Sequence, residues 1–444
     1  MISHFTQPNE AQASPGICRT AIARLSRPLA IALLLTTAAC QPDPAADAPS
    51  DAPSPETAAL KLGSLLPITG DLAQYGGPMQ DSANLLVETV NACGGVLGQP
   101  VELISEDTQT EPAAGASAMT KLAEVDQVGG VVGAAASSIS SAAVDIAVRN
   151  EVVQISPAST SPVFTERAQN GDFGGYWFRT APPDTFQGDA LAQLASDRGF
   201  ETVAVLAINN DYGNGLVESF STAFEAIGGA TVAPTLYTPD ATTFDSEVSA
   251  AFSGEPDAVL LVAYPETGSL ILRAAYEQGL LDGNTQIMLT DGMKDDSIAD
   301  LVGQTANGAY IISGVFGTAP SSTGPAIDSF TQAYREAFER TPSVFDPNTW
   351  DAAALLVLAA EASQSTVGRD IQASVAEVAN APGQDVTDVC EGLALLRDGE
   401  DINYQGASGV VDLDDQGDVV GSYEIWSIAD DGTLEVTETV TVGG

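Results

Sequence analysis

Three short segments carry the side chains best able to do chemistry in this chain. Asn210-Asp211-Tyr212-Gly213, Tyr264-Pro265-Glu266 and Asp291-Gly292 each place acids or phenols directly after a β-rich run. An acid at such a position suits an ammonium group, and phenols beside it add hydroxyls and aromatic faces. Asp-Gly is equally an ordinary turn. Two further segments carry hydroxyls, Ala134-Ala135-Ala136-Ser137-Ser138 and Pro157-Ala158-Ser159-Thr160-Ser161-Pro162. Their small residues let a ligand approach the backbone, and hydroxyls with backbone N–H groups can clamp a carboxylate without a cationic side chain. Helix capping by Ser and Thr accounts for the same residues.

Other chemistries are poorly supplied. The single histidine is His4, in a segment expected to be removed, so the mature chain would have no Ser-His-Asp or Cys-His machinery and no histidine metal site. No P-loop or G-x-S-x-G elbow occurs. An enzyme would have to use carboxylates, tyrosines or a lysine; a non-enzymatic role without metal or other cofactor is expected. Asp412-x-Asp414-x-Gln416-Gly417 begins like a calcium loop, but position twelve is Tyr423 and Glu424 comes one residue late. Asp-Asp-Gln-Gly is read instead as a hairpin turn between strands 410–413 and 419–428. Cys93 and Cys390 lack Cys-x-x-Cys spacing; in an oxidising compartment they are expected to be joined, adding about 4 to 5 kcal/mol in the chain-entropy model.

The elements that must position these groups alternate in an α/β rhythm. Strands are expected at Leu62–Leu66, Val101–Glu106, Gly130–Gly133 and Val152–Ser156, with helices at Pro78–Asn91, Pro112–Val125 and Ser138–Asn150. The rhythm restarts after Pro182-Pro183 with strands Val203–Ile208, Thr231–Pro234, Val259–Ala263 and Ile287–Thr290, and helices starting near Gly213, Phe244 and Glu266. A strand at Ala309–Val315 precedes helices near 325–340, 350–365, 370–380 and 387–398, and the tail from Gly409 is β-rich. In open α/β sheets ligands sit beyond the carboxyl ends of strands, where all five polar segments fall.

The N-terminal part speaks of address. Arg19, Arg24 and Arg27 precede the apolar run Leu29–Leu35, and small residues lead into Cys40, the layout of an export signal. The run is shorter than the ~20 residues that span a bilayer. Ala38-Ala39-Cys40 resembles a bacterial lipobox, although Thr37 stands where an aliphatic residue is usual, so Cys40 is the expected lipid attachment site. The following Pro, Ala, Asp and Ser residues read as an extended acidic spacer. The body from Leu60, about 385 residues, exceeds the ~250 to 300 at which one core stops growing, so two lobes are expected. With 60 acidic and 15 basic side chains, a formal charge of −45 repels nucleic acid and anionic lipid surfaces and is compatible with cationic or zwitterionic small ligands.

Read in order, Leu66-Pro67-Ile68-Thr69-Gly70 with Gln74-Tyr75-Gly76, Glu106-Asp107-Thr108-Gln109, Ser156-Pro157-Ala158, Asn210-Asp211-Tyr212-Gly213, Tyr264-Pro265-Glu266-Thr267-Gly268 and Thr290-Asp291-Gly292 resemble the leucine/isoleucine/valine-binding protein family of bacterial ABC importers. The resemblance covers about residues 60 to 430. It implies the type I periplasmic binding fold: two Rossmann-like lobes joined by several hinge crossovers, with signal 1–39, lipidated spacer 40–59, lobe one 60–181 and 317–404, and lobe two 182–316 and 405–444. It further implies an amino-acid ligand whose carboxylate meets Ser137, Ala158 and Thr160 and whose ammonium meets Asp291 and Tyr264, with Tyr75 and Tyr212 flanking the side chain. Asp291 stands where some members have the longer glutamate. Trp350, where tyrosine is common, either lines the pocket or packs in the core. The implied partner is an inner-membrane ABC permease, the implied location the periplasmic envelope with the protein held by its lipid, and the implied state a monomer. The alternative is a regulatory or sensory lipoprotein that uses the fold to bind another protein.

Overall fold

The computed structural model describes residues 58–441; His4, the arginine-flanked apolar run, Cys40 and the acidic spacer lie outside the described residues. Five strands, β1 (Lys61–Leu66), β2 (Glu102–Asp107), β3 (Gly130–Gly133), β4 (Val153–Ser156) and β5 (Trp177–Arg179), pair in parallel in the order β2-β1-β3-β4-β5. Between them run α1 (Ala73–Ala92), α2 (Pro112–Thr120), which continues as a π-type segment Lys121–Asp126, α3 (Ser137–Arg149) and α4 (Val163–Gln169). Strands β3 and β4 are buried on both faces: Gly-Val-Val-Gly reads as an apolar run, whereas Val-Gln-Ile-Ser alternates and buries Gln154 and Ser156 as well.

The chain then crosses at Pro182-Pro183 into α5 (Asp184–Asp197) and a second sheet. Its strands are β6 (Thr202–Ile208), β7 (Ala230–Tyr237), β8 (Ala258–Val262), β9 (Gln286–Leu289) and β10 (Phe316–Ser321), interleaved with α6 (Asp211–Ala226), α7 (Asp245–Ala251), α8 (Pro265–Glu277) and the short α9 (Ile298–Val302). The chain returns to the first sheet's layer through α10 (Ile327–Phe338), α11 (Asp346–Ala362), α12 (Gly368–Ala379), β11 (Gln384–Val386), α13 (Val389–Arg397) and β12 (Ile402–Tyr404). It ends in β13 (Ser422–Ile428) and β14 (Leu434–Thr441), which complete the seven-stranded order β14-β13-β10-β9-β8-β6-β7. β6 to β10 are parallel; β13 pairs antiparallel with β10, and β14 antiparallel with β13.

Helix α11 is apolar nearly all round and buried almost throughout, so it serves as a central beam against which α1, α12 and α13 pack. Cys93, at the end of α1, is bonded to Cys390 in α13 with Cα atoms 5.9 Å apart, across a sequence separation of 297. Among the described residues no helix is long and apolar enough to cross a membrane.

Three expectations are corrected. The segment 309–315 is a run of turns, closed by bonds such as Val315 N–H to Ile312 O (3.1 Å), and the strand begins at Phe316. β10 extends to Ser321, so residues 317–321 lie in the second sheet. Residues 410–413 form no strand; the Asn380 side chain caps the Leu413 peptide instead, donating to its carbonyl and accepting from its N–H, both at 2.7 Å. The acidic turn forms, with Asp414 accepting from Gln416 N (2.8 Å) and Asp418 N (2.9 Å), but it links no paired strands. Ala407, Val411, Leu413 and Val419 pack with the first sheet's core.

Candidate functional site

A small cavity of about 30 Å³ lies where the carboxyl ends of both sheets converge. From the first sheet's side come Leu72, Tyr75 and Met79, spaced i, i+3 and i+7 so that one face of α1 lines the wall. The Tyr75 ring meets Phe345 edge-on at 6.2 Å, and its hydroxyl donates across the cavity to the Asp291 carbonyl at 3.4 Å. The end of β3 passes close to β1: Gly133 has φ +131°, and a Cβ there would sit 2.3 Å from the Leu65 carbonyl oxygen. That close passage brings Ala135, Ala136 and Ser137 into the wall. Ser137 opens α3, leaving its N–H without an intrahelical acceptor, and its Oγ accepts from Ser161 N at 3.3 Å. Ser156 Oγ donates to Ala134 O (2.6 Å) and accepts from Ser159 N (2.9 Å), which ties the β3 and β4 loops together and sets Ala158 in the wall.

From the second sheet come Tyr212, Tyr264, Asp291 and Gly292, at the ends of β6, β8 and β9. Tyr212 and Tyr264 stack at 5.7 Å and 12°. The Tyr212 hydroxyl donates to Asp291 Oδ1 (2.7 Å), and the Thr290 hydroxyl at 2.8 Å can then donate to Tyr212. Asn210 Nδ2 donates to the Tyr264 hydroxyl at 3.2 Å. A Cβ on Gly292 would meet the Ala263 carbonyl oxygen at 2.6 Å and the Tyr212 hydroxyl at 3.0 Å, so only glycine permits this packing. Asp291 is 2% exposed. Burial pushes its carboxyl above the ordinary range, against Tyr212, Gln187 and the Gly292 N–H, which favour the charged form. Tyr75, Tyr212 and Tyr264 are held protonated well above neutrality, chiefly by burial.

Six of the seven expected residues, Tyr75, Ser137, Ala158, Tyr212, Tyr264 and Asp291, thus meet at one cavity. Thr160 lies behind the wall, fully buried, with its carbonyl accepting from Asp184 N at 2.8 Å. Trp350 does not line the cavity; it packs on Phe330 with ring centroids 5.5 Å apart in the core around α11. Leu72, Met79 and Phe345 were missed. The helical spacing of the first two around Tyr75 was a readable signal, whereas Phe345 arrives from a distant loop. No Lys or Arg lines the cavity, so its polar character is one carboxyl group, three phenols, a serine and backbone. An outer chamber of about 550 Å³ adjoins through Tyr264 and is bordered by Asp71, Glu111, Asp240 and Glu266. Burial and these neighbouring acids push Asp71 up to about 6.

Residues 78–431 match the family described as the receptor family ligand binding region. The chain is 26% identical over 391 residues to the chemotactic signal transduction system substrate-binding protein BasB of Halobacterium salinarum, covering 86% of this chain and 90% of that one. It is 28% identical over 325 residues to Leu/Ile/Val-binding protein homolog 1 of Brucella suis, covering 71% and 82%. A branched-chain amino acid transporter substrate-binding protein of Streptococcus pneumoniae, solved in complex with isoleucine, superposes with a TM-score of 0.70 at 24% identity, over 87% of this chain and 99% of that one. The chain therefore belongs to the receptor ligand-binding family, has the type I periplasmic binding protein fold, and is a relative of the leucine/isoleucine/valine-binding proteins.

Proposed function

We propose that this chain is an extracytoplasmic solute-binding protein that captures an aliphatic, branched-chain or related amino acid between two lobes and delivers it to an ABC permease. The observation that carries the reading is the Asp291 carboxyl group, sealed beneath Tyr212 in a cavity with apolar walls and no cation. Such a site complements an ammonium, while Ser137 and the backbone at Ala158 offer donors to a carboxylate. Leu72, Met79 and Phe345 suit an aliphatic side chain. Thr160 joins the carboxylate side of the site and Tyr75 flanks the side chain. At about 30 Å³ the cavity holds little more than water, so an amino acid enters when the lobes part and re-forms the wall on closure. The lobes are the two sheets with their helices, and the crossovers near residues 182, 322 and 421 are the hinges. Cys40 anchors the body by lipid after signal removal, and the acidic segment is its spacer. No chemistry is done on the ligand.

A second reading has one observation in its favour, the similarity to a binding protein that serves a chemotactic signalling system. In it the same closure is read by a membrane sensor instead of a permease.

Unfolding and refolding the protein removes any carried-over ligand; melting is then followed against each protein amino acid. A ligand at a hundred times its dissociation constant adds ~2.7 kcal/mol of stability. Silence against all of them sinks both readings, whereas a shift without any permease interaction in reconstituted membranes favours the sensory one.

A further inference from the structure

Helices α3 and α6 meet outside the cavity wall, and a serine and an acid join them there. Ser141 Oγ donates to Asp211 Oδ2 at 2.5 Å, and neither residue lines the cavity. Elsewhere Thr89, Ser117, Thr120 and Ser219 each return their hydroxyl to the carbonyl four residues back, the local bond that a helical Ser or Thr ordinarily makes. Ser141 does not. Its single proton goes to an acid on the helix that follows the first strand of the other sheet.

A second contact lies on the same face of α6. Gly215 stands one turn after Asp211, and a Cβ on it would sit 2.7 Å from Pro162 Cδ and 2.9 Å from Ser161 Oγ. Helix α6 therefore rests directly on the turn that opens α4, an approach that only glycine allows. Ser161 N donates in turn to Ser137 Oγ at 3.3 Å. Each helix thus carries a cavity residue beside a contact residue: Ser137 is one turn before Ser141, and Tyr212 directly follows Asp211. A displacement of either helix at the cavity is felt at the contact. Beside it runs a groove of about 620 Å³ bordered by Glu166, Asp189 and Glu218, which leaves Ser141 and Asp211 half-buried.

We propose that Ser141, Asp211 and Gly215 form a clasp between the two sheets that stabilises the closed arrangement and sets how long a captured ligand is held. The inference rests on the closure described under the proposed function. Because the clasp is made by protein groups alone, it acts with or without a ligand. Opening must break the Ser141 to Asp211 bond and lift Gly215 from Pro162, so loss of the clasp speeds release without slowing association.

Stopped-flow measurement of L-leucine release from the refolded chain supplies the first arm. Ser141→Ala and Asp211→Ala should each release leucine about tenfold faster with association no slower, and the double variant should be no faster than either single one. Ser141→Thr, which keeps the hydroxyl, should release at the wild-type rate. Unchanged release in Ser141→Ala, or effects that add in the double variant, overturns the proposal. Small-angle X-ray scattering of the ligand-free chain is the second arm. Gly215→Leu, which sets a side chain against Pro162, should have a larger radius of gyration than the wild type, with Ser141→Ala between them. Equal radii for Gly215→Leu and the wild type overturn the proposal. If the wild-type chain binds no leucine, the reading of leucine as its ligand fails, while the scattering comparison still decides whether the clasp holds the sheets together.

Discussion

At the residue scale, Asp291 and Gly292 depend on each other's chemistry. The acid is useful because it is buried, and it is buried because Gly292 lets the turn after β9 press against Ala263 and Tyr212. Gly292→Ala should therefore lower both stability and ligand affinity, with Asp291 intact; a variant that binds normally in a calorimetric titration contradicts this dependence. The buried acid Asp346 offers a pH test away from the site. It accepts from Ser343 N at 2.8 Å, leaves Oδ1 without a partner, and is pushed by burial up to about 6. A carboxyl raised in the folded state binds more protons there than when unfolded, so stability falls as pH climbs from about 4 to about 6. Its share is up to about 3 kcal/mol, and Asp346→Asn should flatten the denaturation midpoint across that window. An unchanged slope contradicts the assignment. Residue types at strand ends made most of the site readable in the sequence, since acids, phenols and serines stood out against apolar runs. Asp184 did not stand out, because its Pro-Pro-Asp context reads as an ordinary helix start and only the fold shows that it is fully buried.

At the element scale, the two returns of the chain are held by polar contacts that sequence patterns do not announce. The buried Arg179 to Asp418 pair (2.6 Å) joins β5 to the acidic turn that had looked like a hairpin. Removing one partner leaves an uncompensated buried charge, so Asp418→Ala should destabilise by about 3 to 5 kcal/mol in chemical denaturation, and an effect below about 1 kcal/mol contradicts the pair's structural role. Asp351 on α11 does similar work for the segment after β12, accepting from Tyr404 Oη (2.9 Å), Ala407 N (2.8 Å), Ser408 N (2.7 Å) and Ser408 Oγ (2.6 Å). The regular elements were legible because parallel strands and amphipathic helices have periods. Residues 309–321 and 410–413 were not, because β10 is built from Gly and Pro on a covered ladder and the Leu413 peptide is satisfied by Asn380, a contact 33 residues distant. The Cys93 to Cys390 bond pins α13 to the end of α1. Closing so long a loop should stabilise by about 5 kcal/mol in the chain-entropy limit, so reduction should lower the midpoint strongly; an unaltered midpoint would mean that α11 already holds both helices without it.

At the scale of the whole molecule, 60 acidic side chains against 15 basic ones make self-repulsion a property of the folded body. Added sodium chloride should raise the melting temperature by screening that repulsion, because the Debye length falls from ~10 Å at 0.1 M to ~3 Å at 1 M. A flat response would mean that the charge is compensated locally. The α/β rhythm and its restart after Pro182-Pro183 were readable in the sequence, but the later points where the chain returns to the first sheet's layer and leaves it again were not, since those loops carry little pattern of their own. What unites the scales is a cavity between two sheets in which one carboxyl group faces no cation of the protein's own. The most direct measurement is a calorimetric titration of the refolded wild-type chain and of Asp291→Ala with the amino acid that shifts melting most, and with its deaminated analogue. The account predicts that the amino acid binds the wild type, that the deaminated acid does not, and that Asp291→Ala loses about 2 to 5 kcal/mol of binding free energy. Equal binding of amino acid and deaminated analogue, or undiminished binding by Asp291→Ala, would contradict it.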